Sequence, residues 1–296
     1  MGAGISGMMG DGCSRSSETS IGELPENCVA LILSRLEATQ ICGLAAVNPT
    51  FRRASSSDAV WDSKLPHNYH FLLNNLFAHN TISPNFNSKK QIFATLSRPT
   101  RFGGGYKELW LEKNGGGICV SVSWKEMKIT GIDDRRYWTH VSDSDESRFS
   151  SIAYLKQIWW VEVEGSLELE FLPAGIYSLF FRLHLGKPSK KWGRRVCDVE
   201  QVHGWNMKPV RFQLSSSHGQ QHVSCEYYLN NQPAGKWIHY HVGDFFVVDN
   251  SHLPTNLNFS MTQIDCTHTK GGMCLDSVFI CPIKLGENLK ITLKKN

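Results

Sequence analysis

Histidine and cysteine side chains in the C-terminal half of the chain are the residues best suited to chemistry. His239 and His241 share one face of a predicted strand, and Cys266, His268 and Cys274 lie close together in the sequence. Structural zinc sites use short, regular cysteine and histidine spacings. Neither group has such a spacing, so the sequence predicts no metal site and no cofactor.

Motifs of common catalytic sites are missing from the sequence. Gly186-Lys187 has neither the upstream glycine nor the following Ser or Thr of a phosphate-binding loop, and there is no Gly-x-Ser-x-Gly elbow. A cysteine nucleophile paired with one of the 12 histidines remains formally open, but no local signature surrounds any of the nine cysteines. The sequence therefore predicts no catalytic residue and a non-enzymatic role.

A basic segment spans residues 187–195, where five of nine residues are Lys or Arg. Such a segment could bind an anionic partner or act as a nuclear address. The net charge of the whole chain is only +4, and nothing else in it forms a nucleic-acid footprint. A solvated loop is therefore favoured, and no nucleic-acid partner is predicted.

The composition, 41% hydrophobic and 20% charged over 296 residues, is typical of a soluble globular protein with two unequal domains. Scattered cysteines without a secretory leader indicate reduced thiols and a cytoplasmic or nuclear location. No apolar run approaches the roughly 18 residues of a transmembrane helix.

The N-terminal residues resemble an acylation signal. Met1-Gly2 followed by Ser6 fits the pattern for myristoylation of Gly2, which would give only weak membrane contact. The alternative is a disordered leader over residues 1–20, which are rich in glycine and serine. Both interpretations stay open.

Helical spacing dominates residues 21–66. The first predicted helix begins near Pro25 and carries apolar side chains at three- and four-residue intervals: Cys28, Leu31, Ile32 and Leu36. Thr39 could cap a second helix, which Pro49 interrupts, and Ser57 or Asp58 could cap a third. Three helices in about forty residues bury too little surface to be stable alone, so their apolar faces should need a partner.

A two-residue period begins at Tyr106, with many short alternating runs separated by glycine, proline and asparagine turns. The densest run, Tyr177 to Leu185, is predicted to be central in a sheet. The predicted fold is α+β and multidomain: a three-helix module at 21–66, a partly helical connector at 67–105, an antiparallel, jelly-roll-like β sandwich at 106–283, and a frayed basic tail at 284–296.

The helical segment resembles the F-box family. The matching features are Leu24-Pro25, the Ile/Leu helix from Cys28 to Leu36, the stretch Val47 to Arg53, and the late tryptophan Trp61. The resemblance implies a Skp-family adaptor as partner and, through it, a cullin scaffold. The residues that it implies for adaptor binding are Leu24, Pro25, Cys28, Ile32, Leu33, Leu36, Ile41, Leu44, Val47 and Trp61.

The β region resembles the plant phloem-protein-two family, a lectin-type family related to the tobacco jasmonate-inducible lectin. The resemblance rests on Ile129 to Trp138, Trp159 to Gly165, Trp237 to Phe246 and Met261 to Asp265. It implies recognition of N-acetylglucosamine-type sugars or N-glycans on a target protein.

The residues implied for sugar binding are Tyr137, Trp138, Asn256 and Gln263. Trp138 matches one of two binding tryptophans of the lectin, and Gly131 stands at the other. Asn256 and Gln263 replace two glutamates, which keeps hydrogen-bonding capacity but removes charge. An alternative role for Tyr137 and Trp138 is to plug a loop onto the sandwich.

The two resemblances together imply a substrate-receptor subunit of a ubiquitin ligase. The rival hypothesis is a stand-alone intracellular carbohydrate-binding or phloem structural protein, in which the helical module only packs on the β domain.

Overall fold

The computed structural model describes residues 24–77, 86–142, 147–191, 194–217, 221–248 and 255–294. Helices lie at the N-terminal end, and antiparallel strands in two main sheets follow. This arrangement confirms the predicted α+β class. The predicted acylation site, Gly2, lies outside the described residues.

Within the described residues, six α-helices precede the sheets. They are α1 (Glu26–Leu33), α2 (Ala38–Leu44), α3 (Pro49–Ala54), α4 (Asp58–Asp62), α5 (Tyr69–Phe77) and α6 (Lys89–Leu96). Helix α2 starts after Glu37, whose N–H donates to Oε1 of Gln40 at 3.0 Å. The predicted cap, Thr39, instead lies inside α2.

Helix α3 was not expected from the sequence, which predicts three helices where the structure has four. Pro49 begins this helix rather than interrupting the previous one, because a first-turn residue has no intrahelical use for an N–H. Asn48 caps the helix, and its Oδ1 accepts from the N–H of Phe51 at 2.8 Å. Of the two predicted caps for α4, Ser57 stands at the N-cap and Asp58 is the first residue of the helix.

Fifteen strands are described. They are β1 (Thr100–Phe102), β2 (Lys107–Leu111), β3 (Ile118–Ser123), β4 (Lys128–Ile129), β5 (Trp138–Val141), β6 (Ile152–Leu155), β7 (Val161–Leu169), β8 (Gly175–Leu185), β9 (Lys187–Lys191), β10 (Arg194–Asp198), β11 (Val210–Ser216), β12 (Gln221–Tyr227), β13 (Trp237–Val247), β14 (Thr255–Gln263) and β15 (Met273–Pro282). A last helix, α7 (Ile283–Lys294), follows them.

The larger sheet is organised around β15, which pairs with β8 along its length. On its other edge β15 pairs with β6 at Met273–Leu275 and with β3 at Ser277–Ile280. Strands β5, β2 and β1 extend that side, and β13 pairs with the outer edge of β8. The prediction that the run from Tyr177 to Leu185 is central is confirmed, since β8 has a neighbour on each side.

The second sheet has the order β12-β11-β14-β7-β4 and packs against the first. Side chains of β7 and β14 alternate between buried apolar and more exposed polar positions, as a sheet with one covered face requires. Aromatic rings join the two sheets: Phe181 of β8 lies 5.4 Å from Phe212 and 5.9 Å from Phe259 between centroids. The core of the β domain lies at this contact.

Two segments differ from their predicted form. The basic segment, expected to be a loop, forms the hairpin β9–β10. The expected frayed tail forms helix α7, because Leu285 and Leu289 pack against buried residues on the outer face of the larger sheet. Apolar spacing at four residues was the signal for this helix.

The helical module packs directly on the β domain. The N–H of Ala38 donates to the carbonyl of Asn114 at 3.3 Å, and at the start of the connector Asn68 Nδ2 donates to the carbonyl of Phe171 at 2.9 Å. Gly116 has φ +70°, and a Cβ there would overlap the Lys64 carbonyl. The backbones of the helical module and the β domain are therefore in close contact.

Candidate protein-docking and carbohydrate sites

Helix α1 is apolar on two faces. Val29 and Leu33 are fully buried on the inner face, whereas Leu31 and Ile32 are 70% and 45% exposed. Cys28, three residues before Leu31, is also exposed. Exposed neighbouring apolar groups make this face a candidate for contact with another protein. We call Pro25, Cys28, Leu31 and Ile32 the α1 surface.

The residues predicted to contact an adaptor fall into three groups. Exposed are Pro25, Cys28, Ile32 and Val47, and partly buried are Leu24, Leu36 and Leu44. Leu33, Ile41 and Trp61 are buried. These last three belong to the core of the helical module, so they hold the docking helices in place rather than present a surface to a partner.

Trp61 closes the helical module onto the connector. Its Nε1 donates to the carbonyl of Ser55 at 2.7 Å, which satisfies the buried indole. Its ring lies 5.2 Å from the ring of Phe93 on α6. The late tryptophan of the motif is therefore a structural residue here.

Leu31 was missing from the predicted contact residues, although it is more exposed than Ile32, which was among them. It lies three residues after Cys28 and one before Ile32, and this helical spacing places all three on neighbouring parts of one face. That spacing was the signal that could have identified it.

Trp138 does not present a ring for a sugar to stack on. It is 1% exposed, and its Nε1 donates to the carbonyl of Thr130 at 3.1 Å. A pyranose would need an accessible aromatic face. Tyr137, beside it, is partly buried and packs against the core. The alternative role of this pair, attaching a loop to the sandwich, agrees with these contacts.

Asn256 and Gln263 lie at opposite ends of strand β14. Seven residues of a strand span roughly 23 Å, far more than one monosaccharide can bridge. Gln263 is 4% exposed, and its Nε2 donates to the carbonyl of Lys208 at 2.7 Å. Asn256 is exposed. The structure therefore does not bring the four predicted sugar-binding residues into one site.

A groove of about 500 Å³ crosses the outer face of the five-stranded sheet. We call it the sheet groove. Its lining is mostly amide, hydroxyl and charged side chains from four strands: Lys128, Glu164, Ser166, Gln213, Asn258 and Ser260. Asn256 alternates with Asn258 along β14 and points to the same face. These groups can form hydrogen bonds with a polyhydroxylated ligand.

The histidines of β13 do not form a metal site. The ring of His239 lies 5.8 Å from that of Phe279, and burial, with Arg182 and Arg148 nearby, lowers its pKa to about 4. Burial also lowers the pKa of His241. Across the described part of the chain, no group of three His, Cys, Asp or Glu side chains is placed to hold a metal ion.

Comparison with known families identifies both parts of the chain. Residues 21–63 match the F-box domain model, and residues 117–282, more than half of the chain, match the model for phloem protein 2. The chain belongs to the phloem protein 2 family. Both predicted resemblances are thereby confirmed. In this phloem protein 2 chain, the F-box match contains helices α1 to α4, and the family segment contains strands β3 to β15.

Similar curated proteins share this architecture along most of their length. The F-box protein PP2-A13 of Arabidopsis thaliana is 58% identical over 261 residues, which cover 88% of this chain and 87% of that protein. The F-box protein PP2-A11 of the same plant is 50% identical, over 92% of this chain and 91% of its own length. Among the described residues, no helix is long and apolar enough to cross a membrane.

Proposed function

We propose that this chain is the substrate-receptor subunit of a Skp-cullin-F-box ubiquitin ligase. The F-box binds a Skp-family adaptor through the α1 surface, and the phloem protein 2 domain holds the target protein. The chain itself catalyses nothing, because its contribution is to bring target lysines close to an associated ubiquitin-transferring enzyme.

The observation that carries this proposal is that helix α1 has apolar side chains on both its inner and its outer face. Its inner face already closes the module through Val29 and Leu33, so Leu31 and Ile32 are not needed for folding. Burial of two such side chains at an interface stabilises a complex by about 1.5–3 kcal/mol each. The exposed apolar positions therefore fit a partner that completes the F-box.

The test is binding of purified Skp-family adaptor to wild-type chain and to the double variant Leu31→Asp, Ile32→Asp. We expect adaptor affinity to fall at least about a hundredfold, because two charges would enter an apolar interface. The free energy of unfolding of the variant should stay within about 1 kcal/mol of wild type, since both positions are exposed.

A matched control variant is available on the β domain. Ile264 and Phe246 are 71% and 50% exposed, close to the values for Leu31 and Ile32. The double variant Ile264→Asp, Phe246→Asp should bind adaptor as wild type does. Unchanged adaptor binding by the α1 variant, or equal loss in the control, would refute the proposal.

For target recognition, we propose that the sheet groove binds a glycan on the target protein. Its amide and hydroxyl side chains support this assignment, and the imidazole of His222 is an exposed ring in the same lining. A glycan array with wild-type chain and an Asn258→Ala, Gln213→Ala variant tests it. Binding that the variant retains in full would move sugar recognition elsewhere or leave direct protein recognition.

The rival function is a stand-alone intracellular carbohydrate-binding or phloem structural protein. The packing of the helical module on the β domain, through Ala38 and Asn114, is the observation that favours it. Glycan binding without any adaptor binding would support this rival. Adaptor binding that depends on Leu31 and Ile32 would support the ligase.

A further inference from the structure

A second groove, of about 670 Å³, lies where the F-box, the connector and the β domain meet. We call it the junction groove. Helices α2 and α4 of the F-box form one wall, α6 of the connector another, and β2 with the residues after it a third. It is separate from both the α1 surface and the sheet groove.

The floor of the junction groove is apolar and aromatic. Trp61 and Phe93, which are 2% and 5% exposed, close the floor with ring centroids 5.2 Å apart, and the partly exposed Trp110 lies beside them. The Trp110 ring stacks on Phe279 at 5.6 Å with an interplanar angle of 8°, and the Arg148 guanidinium lies 4.3 Å from the centre of the Trp110 ring. A partly exposed indole fixed in this way suits an aromatic ligand.

The rim of the groove is positively charged. Lys90, Arg98, Lys113 and Arg148 line it, and no acidic residue does. Arg148 lies 3.7 Å from Glu108, which partly neutralises it. In the described part of the chain, no carboxylate lies within 4.0 Å of the side-chain nitrogens of Arg98 or Lys113. These two cations are available to an anion.

One further polar group of the lining lacks a partner. Ser97 is only 9% exposed, and among the described residues its Oγ has no hydrogen-bond partner. A buried hydroxyl without a partner destabilises the fold unless something bonds to it. Ser97 lies at the end of α6, next to Arg98, so one ligand group could contact both.

We propose that the junction groove binds a small aromatic molecule that carries an anionic group. The rings of the ligand pack against the exposed part of Trp110, over the floor that Trp61 and Phe93 close, while the anion lies at the rim beside Arg98 and Lys113. The volume is within the range of about 300–1,000 Å³ that is typical of small-molecule sites. Because its walls come from three units, a bound ligand would stabilise their relative placement.

The probes for this site are 1-anilinonaphthalene-8-sulfonate, which is aromatic and anionic, and its neutral analogue N-phenyl-1-naphthylamine. Fluorescence titration of the full chain should give saturable binding of the anionic probe. The double variant Arg98→Glu, Lys113→Glu should bind the anionic probe about tenfold or more weakly than wild type does. Its affinity for the neutral probe should change less than about threefold. Lys236→Glu, at an exposed position just before β13 and in neither groove, is the charge control and should change the affinity of neither probe.

A second variant tests the apolar floor. Ala94 is exposed on α6 and lines the groove, so Ala94→Trp should fill the groove and weaken both probes without unfolding the chain. If the probes bind normally to this variant but not to Leu31→Asp, Ile32→Asp, they bind the α1 surface and the proposal fails. Displacement of the anionic probe by saturating adaptor would also overturn it, because a protein segment would then occupy the groove.

Discussion

The Nζ of Lys290 lies 2.8 Å from Oδ2 of Asp244, and this ion pair ties helix α7 to strand β13. The same carboxylate accepts from Ser178 Oγ at 2.6 Å and lies 2.9 Å from Nε2 of His241. Burial alone would raise the pKa of Asp244, but these hydrogen bonds outweigh burial and lower it. The carboxylate is therefore a polar point of attachment for α7, in addition to the packing of Leu285 and Leu289.

We predict that Asp244→Asn lowers the free energy of unfolding by about 1–2 kcal/mol at pH 7, because three charge-assisted contacts weaken together. Since the folded pKa of Asp244 is lowered, its contribution is present above the unfolded value of 3.8 and is lost as pH falls below it. Urea denaturation of wild type and variant at pH 7 and pH 3 measures the difference.

The matched control for this prediction is Lys284→Ala, an exposed lysine on the same helix. It should change stability by less than about 0.5 kcal/mol, whereas Lys290→Ala should approach the effect of Asp244→Asn. Equal effects of the two lysine variants would mean that the ion pair does not anchor α7.

His239 gives a second pH-dependent prediction. Its folded pKa of about 4 lies below the unfolded value of 6.5, so the unfolded chain binds the proton more tightly. Its contribution to stability is complete above pH 6.5 and is lost as pH falls from 6.5 towards 4. As the pH falls from 6.5 to 4, we expect the free energy of unfolding of wild type to fall by up to about 2 kcal/mol. The variant His239→Phe should not show this loss.

Nearby charges also lower the pKa of His239. Arg182 and Arg148 disfavour the protonated imidazole of His239, and Asp276 only partly opposes them. The control is Phe246→Leu, an exposed position on the same strand that carries no titratable group. Its stability difference from wild type should be the same at pH 6.5 and pH 4, and the same slope in both variants would assign the effect to another group.

The fold class and the central position of β8 could be predicted because both depend on local periodicity. The run from Tyr177 to Leu185 is apolar on one face and mixed on the other, and every side chain in it except Arg182 is buried, as expected for a strand with neighbours on each side and cover on both faces. The α3 helix was missed because a proline is ambiguous in sequence: it can mark the end of one helix or the first turn of the next, and Pro49 occupies the first turn of α3.

The candidate sites were harder to predict because burial depends on tertiary contacts. Leu33 and Ile32 are adjacent and similar in sequence character, yet one is fully buried and the other 45% exposed. Trp138 likewise matches a ligand-binding position by sequence but lies in the core. Sequence spacing identifies which residues share a face, and only the packing of other elements decides which face is covered.

Gly116 provides a test of the contact between the F-box and the β domain. Gly116→Ala combines a left-handed φ of +70° with overlap between the new Cβ and the Lys64 carbonyl. We expect it to lower the free energy of unfolding by about 3 kcal/mol, of which backbone strain accounts for about 1. Chemical denaturation measures the total.

Gly105→Ala is the matched control for strain alone. Gly105 has φ +87°, and an added Cβ would meet nothing within 4 Å. Gly105→Ala should therefore lower the free energy of unfolding by about 1 kcal/mol. If both variants lose the same stability, the close approach of Lys64 to Gly116 does not contribute to the packing of the two parts.

Because Trp138 is buried, its substitution should act on the stability of the fold. Trp138→Ala should lower the free energy of unfolding by about 3–5 kcal/mol, because it empties a core position and leaves the Thr130 carbonyl without its donor. Asn258→Ala, in the sheet groove, should leave stability within about 0.5 kcal/mol. Differential scanning calorimetry of both variants checks these values.

Glycan binding by the same two variants separates a ligand contact from a structural role. Asn258→Ala should weaken glycan binding by the fully folded chain. Trp138→Ala should weaken glycan binding only because part of the chain unfolds. Glycan binding per folded molecule should therefore stay unchanged when it is measured at a temperature below the unfolding transitions of both variants. A folded Trp138→Ala variant that binds no glycan, beside an Asn258→Ala variant that binds normally, would place the sugar at Trp138 and require its ring to leave the core.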